Sequence, residues 1–156
     1  MNYDPVKNIF AQIIKKFPFL RILFYKILDL MFLRSWYVRR ELKTLRKTFG
    51  NKKINIYDAG SGYGQYSYFM SKNLQPCEIY SVDVKEDWIN DCQEFFSSQK
   101  ISNVSFDIED LTILNHKERF DLIVCVDVME HIPDDVKVFQ NYHNALRKDG
   151  YLLINT

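Results

Sequence analysis

The strongest constraint on the fold is a regular alternation of short apolar runs with longer amphipathic stretches, which begins after Gly50. The short runs are rich in Val, Ile and Tyr, as is typical of strands, whereas the longer stretches carry apolar residues at helical spacing. The predicted strands cover residues 54–57, 79–82, 104–106, 120–126 and 151–154, and the predicted helices cover 65–73, 88–98 and 134–146. Strands that alternate with helices form parallel βαβ units, so the pattern predicts an α/β fold with a doubly wound, mostly parallel sheet.

The segment before this alternation, residues 1–53, is basic and helical in pattern. It has a net charge of +10, from 13 basic and 3 acidic residues, whereas residues 54–156 have a net charge of −9, from 8 basic and 17 acidic residues. Helices are predicted over 6–16 and 19–49, with a break at Pro18. We therefore predict a basic amphipathic helical arm or lid over 1–53 and an α/β domain over 54–156.

The second predicted helix carries one apolar stripe at helical spacing. The stripe consists of Leu20, Leu23, Phe24, Ile27 and Met31, with Arg21, Tyr25 and Asp29 on the opposite face. Because charged residues interrupt the apolar stretch 17–33, we predict neither a secretory signal nor a transmembrane helix. Three scattered cysteines indicate no disulfide framework and no zinc site, which favours a cytoplasmic location.

Three interpretations of the arm remain open. Packing on the acidic domain, as a scaffold or a lid over a crevice, ranks first. Contact with an anionic membrane surface through residues 6–47 ranks second, because Trp36 and Tyr37 beside Arg39 and Arg40 suit an interfacial helix and would place the protein on the membrane inner face. Nucleic acid ranks last, because no RNA-binding signature is present.

A glycine-rich loop, DAGSGYG at residues 58–64, lies between the first predicted strand and the next helix. Glycines allow tight turns and close approach of a ligand, and the helix that follows directs free N–H groups at it. A dinucleotide loop would need glycine where Gln65 stands, and a P-loop would end in Gly-Lys-Ser/Thr. The remaining pattern starts with Asp58, whose carboxylate repels phosphate but attracts an ammonium group.

Two further acids follow strands. Asp83 ends the second strand, where a carboxylate can accept both hydroxyls of a ribose. Asp110-Leu111 follows the third strand, where the carboxylate and a backbone N–H could meet adenine; Glu109 and Asp107 are alternatives, and a simple turn acid is another.

Five segments in order resemble the motifs of class I S-adenosylmethionine (SAM)-dependent methyltransferases of the small-molecule type. They are IYDAGSGYG (56–64), SVDV (81–84), DL (110–111), FDLIVCVDVMEHIPD (120–134) and LRKDGYLLINT (146–156). The resemblance covers residues 54–156 and implies a Rossmann-like sheet, of which this chain holds the strands ordered 3-2-1-4-5. The family normally adds two further strands, so an exposed sheet edge is expected. The resemblance implies SAM as the cofactor, with donor contacts at Asp58, Gly60, Gly62, Gly64, Asp83, Val84, Asp110, Leu111 and Asp127.

The segment 127–131, just past the fourth strand, supplies the candidate catalytic groups. His131, with Glu130 beside it, could take a proton from the acceptor, or could instead hold the loop by bonding the backbone before Pro133. Asp127, Glu130 and His131 could also bind a metal, although a further ligand would be needed.

These observations predict an enzyme that moves a methyl group from SAM to a small-molecule or lipid-linked acceptor by direct displacement. A non-catalytic SAM-binding or assembly module is the alternative. An NAD-dependent oxidoreductase is disfavoured by Gln65 and Asp58.

Overall fold

The alternation predicted after Gly50 is present in the computed structural model, which describes residues 18–156. Five parallel strands form one sheet in the order β3-β2-β1-β4-β5, which confirms the predicted fold class and strand order. The strands are β1 Ile54–Ala59, β2 Cys77–Asp83, β3 Val104–Ile108, β4 Phe120–Val126 and β5 Leu146–Asn155. The helices are α1 Pro18–Met31, α2 Leu33–Thr48, α3 Gln65–Asn73, α4 Glu86–Ser98 and α5 Asp135–Ala145. The helix predicted over 6–16 lies outside the described residues.

The strand order reverses beside β1, which pairs with β2 on one side and with β4 on the other. Connections from the first strands lead away in one direction, and the chain then returns to add β4 and β5 on the opposite side. In an open parallel sheet such a reversal leaves a crevice at the carboxyl ends of the strands. The fold therefore places the ends of β1, β2 and β4 around one opening.

The core lies on both faces of the sheet. All seven residues of β4 are buried, as its continuous apolar run predicts for a central parallel strand. On one face Val38 and Leu42 of α2 pack with α3, and on the other Val138 and Tyr142 of α5 pack against β4. Cys77, Cys92 and Cys125 are buried and free, and burial raises the pKa of the Cys125 thiol to about 11.

The last strand is longer than predicted. β5 starts at Leu146 rather than at 151, so the helix predicted to run to 146 ends at Ala145. The ladder with β4 has an irregularity between Phe120 and Leu122, and Asp149 has a φ of 63°. Asp149-Gly150, which lies at this bend, resembles a turn in the sequence. The sequence pattern therefore did not predict the first half of the strand.

The single helix predicted over 19–49 is wrong, because the structure forms α1 and α2 with a break at Phe32. Phe32 is extended, with φ −111° and ψ 108°. Neither proline nor glycine marks the position, so the sequence carries no local stop signal. The change of direction lets Val38 and Leu42 of α2 reach the sheet core while α1 packs on α4.

The packing of α1 reverses the usual orientation of an amphipathic helix. Arg21 and Tyr25, on the face opposite the apolar stripe, are only 3% and 2% exposed. Leu23, Ile27 and Met31 of the stripe are instead exposed. The polar face is buried because Arg21 finds partners for its guanidinium within the domain, including the Tyr63 carbonyl at 2.7 Å.

Within residues 18–156, no helix has the length and apolar character needed to cross a membrane.

Candidate active site

A crevice of about 720 Å³ opens at the carboxyl ends of the strands, a size suited to a cofactor-sized ligand. Its walls come from the glycine loop, the first residues of α3, the ends of β2 and β4 and the segment after β3. Leu28 of α1 adds a side chain from the arm. The crevice therefore lies where the strand order reverses, as the fold requires.

The glycine loop turns through three left-handed residues. Gly60, Gly62 and Gly64 have φ angles of 76°, 52° and 74°. The N–H groups of Gly60 and Ser61 donate to the Val82 carbonyl at 2.9 and 2.8 Å, which ties the loop to the end of β2. This backbone path brings the loop across the crevice floor and turns it into α3.

Asp83 is oriented by two backbone groups. One carboxylate oxygen accepts from the Gly62 N–H and the other from the Lys85 N–H, both at 3.0 Å. The residue is only 8% exposed and lines the crevice. A carboxylate oxygen can accept more than one hydrogen bond, so this geometry leaves Asp83 able to accept hydroxyl groups of a ligand.

Asp58 lies beneath the loop rather than at the crevice wall. It is buried and accepts a short hydrogen bond from the Ser67 hydroxyl, which is 3.0 Å from the Ser81 hydroxyl. Burial, aided by the charge of Asp83, raises the pKa of Asp58 to about 6. These hydrogen bonds join β1 to the start of α3. A direct contact between Asp58 and SAM stays a prediction.

The segment after β3 presents Asp110 and Leu111 to the crevice. The Asp110 carboxylate accepts from the backbone N–H and the hydroxyl of Thr112, both at 2.8 Å, and the backbone bond holds the pKa of Asp110 below its usual value. Leu111 is buried beside it. The pair is therefore held in a fixed turn at one wall.

The two alternative acids have other partners. Glu109 lines the crevice but accepts from the Tyr57 hydroxyl at 2.7 Å and pairs with His116 at 3.0 Å. Asp107 accepts from the Tyr80 hydroxyl at 2.9 Å and is not among the crevice-lining residues. Of the three acids, Asp110 is the one held at the crevice by its own turn.

At the opposite wall, Asp127 follows β4 in a left-handed conformation with a φ of 57°. Its N–H donates to the Asn155 carbonyl at 2.9 Å, and its carboxylate pairs with Arg34 of α2 at 2.8 Å. Partial burial raises the pKa of Asp127, and the charge of Arg34 opposes that shift. The arm thus places a cation at the crevice mouth through a contact across 93 positions, which no local pattern in the sequence indicates.

The two candidate catalytic residues occupy different positions. His131 lines the crevice, and its backbone N–H donates to the Val128 carbonyl at 2.9 Å. Glu130 is exposed and lies outside the crevice lining. Within residues 18–156, no three His, Cys, Asp or Glu side chains gather as a metal-binding group, so Asp127, Glu130 and His131 do not form one here.

An aromatic pair that sequence reasoning missed also lines the crevice. The rings of Tyr63 and Trp88 lie 4.8 Å apart, and the ammonium of Lys85 lies 3.6 Å from the Trp88 ring centre. The available signal is a Trp about one helical turn after the acid that ends β2, although the same residue also fits a simple place in a helix. Planar ligands stack well on such rings.

One polar atom at the crevice lacks a partner within the described part of the chain. The Ser61 hydroxyl is buried and makes no hydrogen bond there. Buried hydroxyls are nearly always bonded, so this atom is available to a polar ligand. Together with Asp83 and the glycine backbone it fits a ligand with hydroxyl, amine and carboxylate groups, as SAM has.

Comparison with known protein families identifies the class to which this fold and crevice belong. Residues 50–156 match the model of a family described as a methyltransferase domain, so the chain belongs to that family. The sheet order and flanking helices match its Rossmann-like fold. This confirms the resemblance on which the predicted function rests.

Two individual relatives and one solved structure that resemble this chain are also named as methyltransferases. A ubiquinone biosynthesis O-methyltransferase of Coxiella burnetii is 27% identical over 116 residues, covering 74% of this chain and 48% of that protein. A malonyl-[acyl-carrier protein] O-methyltransferase of Bacillus anthracis is 29% identical, covering 74% and 42%. The structure of a SAM-dependent methyltransferase from Aquifex aeolicus superposes with a TM-score of 0.63 at 22% identity, covering 72% and 62%. The chain spans about half the length of the two curated relatives.

Proposed function

We propose that this protein is a SAM-dependent methyltransferase that moves a methyl group from SAM to a small-molecule or lipid-linked acceptor. The observation that carries the proposal is the convergence of the glycine loop, Asp83 and Asp110 on one crevice within a methyltransferase domain. The two curated relatives are named as O-methyltransferases, which favours an oxygen acceptor for this chain as well.

Different crevice residues contact different parts of the methyl donor SAM. Asp83 accepts the ribose hydroxyls, with Val84 beside it, and Asp110 with the Leu111 N–H meets the adenine. The glycine loop, through Gly60, Gly62 and Gly64, passes close to the methionine part. Asp127, on the opposite wall, accepts the amino group of that part, and Asp58 acts from beneath the loop through its charge.

Methyl transfer at this site needs alignment more than activation. The sulfonium of SAM carries a methyl group that is already activated for direct displacement, so the protein chiefly holds donor and acceptor in line and excludes water. His131 lines the crevice and receives the proton of an acceptor hydroxyl or amine, whereas the exposed Glu130 acts on the electrostatics of that position.

The described part of the N-terminal arm, residues 18–53, serves as a lid over this crevice. Leu28 lines the crevice, the Asp29 carboxylate accepts from Gln65 at 2.8 Å, and Arg34 pairs with Asp127. These contacts support an arm that closes one side of the donor site and helps to keep water out.

Calorimetric titration with S-adenosylhomocysteine tests the donor site. We expect the wild-type chain to bind it and Asp83→Ala to bind it roughly 10–100-fold more weakly, because a charged acceptor of hydroxyl groups is lost. Asp107→Ala is the matched control, since Asp107 lies one strand away, outside the crevice, and should bind as the wild type does.

Binding lost equally in both variants, or tight binding of NADH in place of S-adenosylhomocysteine, would contradict the proposal. Thermal melts of both variants separate loss of the site from loss of the fold. Binding with no turnover of any hydroxylated acceptor would leave a non-catalytic SAM-binding module as the function.

A further inference from the structure

The junction of α1 and α2 carries an apolar tip that the fold leaves exposed. Leu30, Met31 and Leu33 are 88%, 70% and 78% exposed, and Phe32 between them is also exposed. Four consecutive exposed apolar residues are unusual on the surface of a folded domain and indicate a functional contact. The exposed apolar surface continues along α1 through Leu23 and Ile27, whereas Phe24 of the same stripe packs against the core.

Cations are set among these apolar side chains. On α1, Lys26 is exposed on the same helical face as Leu23 and Leu30. On α2, the guanidinium of Arg40 lies over the exposed rings of Trp36 and Tyr37, at 5.4 and 5.5 Å from their centres. The exposed faces of the two helices therefore combine apolar tip, interfacial aromatics and positive charge.

Within residues 18–53, the two acids do not cancel this charge. Asp29 is half-buried, pairs with Arg39 at 2.6 Å and accepts from Gln65. Glu41 forms only a long, exposed contact with Arg40 at 3.3 Å. Exposed Lys43 and Lys47 add further positive charge toward the end of α2.

The position of the tip indicates which kind of partner can cover it. The polar face of α1 packs on α4 and the glycine loop, so Leu23, Ile27 and Met31 of the apolar stripe point away from the domain that α1 rests on. In a two-fold dimer formed through this face, the same positively charged patch would lie against a second copy of itself, which brings like charges close together. Phosphate groups above an apolar layer suit this surface instead.

We propose that the exposed face of α1 and α2 docks on an anionic membrane surface. Leu30, Met31, Phe32 and Leu33 enter the boundary between headgroups and acyl chains, and Trp36 and Tyr37 lie at headgroup level. Lys26 and Arg40 contact lipid phosphates. The docking does not depend on the methyl-transfer chemistry, and its failure would leave the donor site untouched.

Flotation of the full chain with lipid vesicles tests the docking. We expect binding to phosphatidylcholine vesicles that contain phosphatidylglycerol, and binding about tenfold weaker or more to phosphatidylcholine alone. The double variant Leu30→Glu/Leu33→Glu should lose binding to both. The matched control is Ile113→Glu/Val136→Glu, which adds the same charges at positions 73% and 64% exposed outside the arm, and it should bind as the wild type does.

Fluorescence locates the contact independently of those variants. Brominated lipid should quench Trp36 in the wild-type chain, and in Trp36→Phe the remaining Trp88, which lines the crevice, should stay unquenched. S-adenosylhomocysteine titration of Leu30→Glu/Leu33→Glu confirms that the variant is folded.

Wild-type chain that stays unbound on anionic vesicles would overturn the proposal. Equal loss in the control pair would also overturn it, because the effect would then follow net charge alone. A concentration-dependent dimer that Leu30→Glu/Leu33→Glu dissociates, without vesicle binding, would assign the face to a second copy.

Discussion

At the scale of single residues, Gly60 lies close to Val128 of the opposite crevice wall. A Cβ at Gly60 would overlap Cγ2 of Val128, and the residue has a φ of 76°. Gly60→Ala therefore combines backbone strain with overlap, and we expect the free energy of unfolding to fall by roughly 2–5 kcal/mol. Chemical denaturation measures the loss, and S-adenosylhomocysteine binding should weaken in parallel.

Gly50 separates the two effects, because it has a φ of 58° but no atom within 4 Å of the position that a Cβ would occupy. Gly50→Ala should cost only the strain, about 1–2 kcal/mol. Adding Val128→Ala to Gly60→Ala should recover part of the loss, seen as a coupling energy of about 1 kcal/mol or more in a double-mutant cycle. Equal losses at Gly50 and Gly60 would show that the walls are not in contact.

At the scale of elements, α1 is attached to the domain by one buried guanidinium. Arg21 donates to the Asp91 carboxylate at 2.5 Å, to the Tyr25 hydroxyl at 2.8 Å and to the Tyr63 carbonyl at 2.7 Å. We expect Arg21→Met to lower the free energy of unfolding by about 3–5 kcal/mol, because the buried hydrogen bonds of the guanidinium to Asp91, Tyr25 and Tyr63 are lost together. Binding of S-adenosylhomocysteine should weaken too, since Tyr63 belongs to the glycine loop.

The control variant is Arg40→Met on α2, which makes the same change in side-chain charge and length as Arg21→Met. Arg40 is exposed and pairs only at 3.3 Å with Glu41, so its loss should change stability by about 0.5 kcal/mol or less. If both variants behaved alike in denaturation and calorimetry, Arg21 would not be the attachment of α1 to the loop.

Some features of these elements were predictable from the sequence, and others were not. The glycine loop and Asp83 were predictable, because each depends on neighbouring residues and on the general rule for parallel sheets. The strand order was predictable only from the resemblance to methyltransferases. The face that α1 buries was not, because Arg21 meets Asp91 across 70 positions and outweighs the local apolar pattern. The pairing of Arg34 with Asp127 and the place of Trp88 in the crevice were not predictable for the same reason, since they depend on how separate elements pack.

At the scale of the whole molecule, the opposite charges of the two segments meet across their boundary. The sequence of the arm has an excess of 10 positive charges and that of the domain an excess of 9 negative ones. The ion pairs Arg34–Asp127, at 2.8 Å, and Lys53–Glu78, at 2.9 Å, join the two and are partly exposed. Arg21–Asp91 joins them too, but it is buried. Lys52 of the arm also pairs with the buried Asp121 at 2.7 Å. The arm is therefore held by buried contacts, including the apolar packing of Val38 and Leu42, and by exposed ion pairs that salt can screen.

Hydrogen exchange at two salt concentrations checks this division. Raising the salt from about 0.05 M to about 0.5 M shortens the screening length, so we expect amides of α2 to exchange about fivefold faster, the effect of about 1 kcal/mol. Amides of the buried strand β4 should change little, which provides the internal control. In Arg34→Gln/Lys53→Gln the salt response of α2 should largely disappear. An unchanged α2 in wild-type protein would mean that buried contacts, such as the apolar packing of Val38 and Leu42, hold α2 without help from the exposed ion pairs.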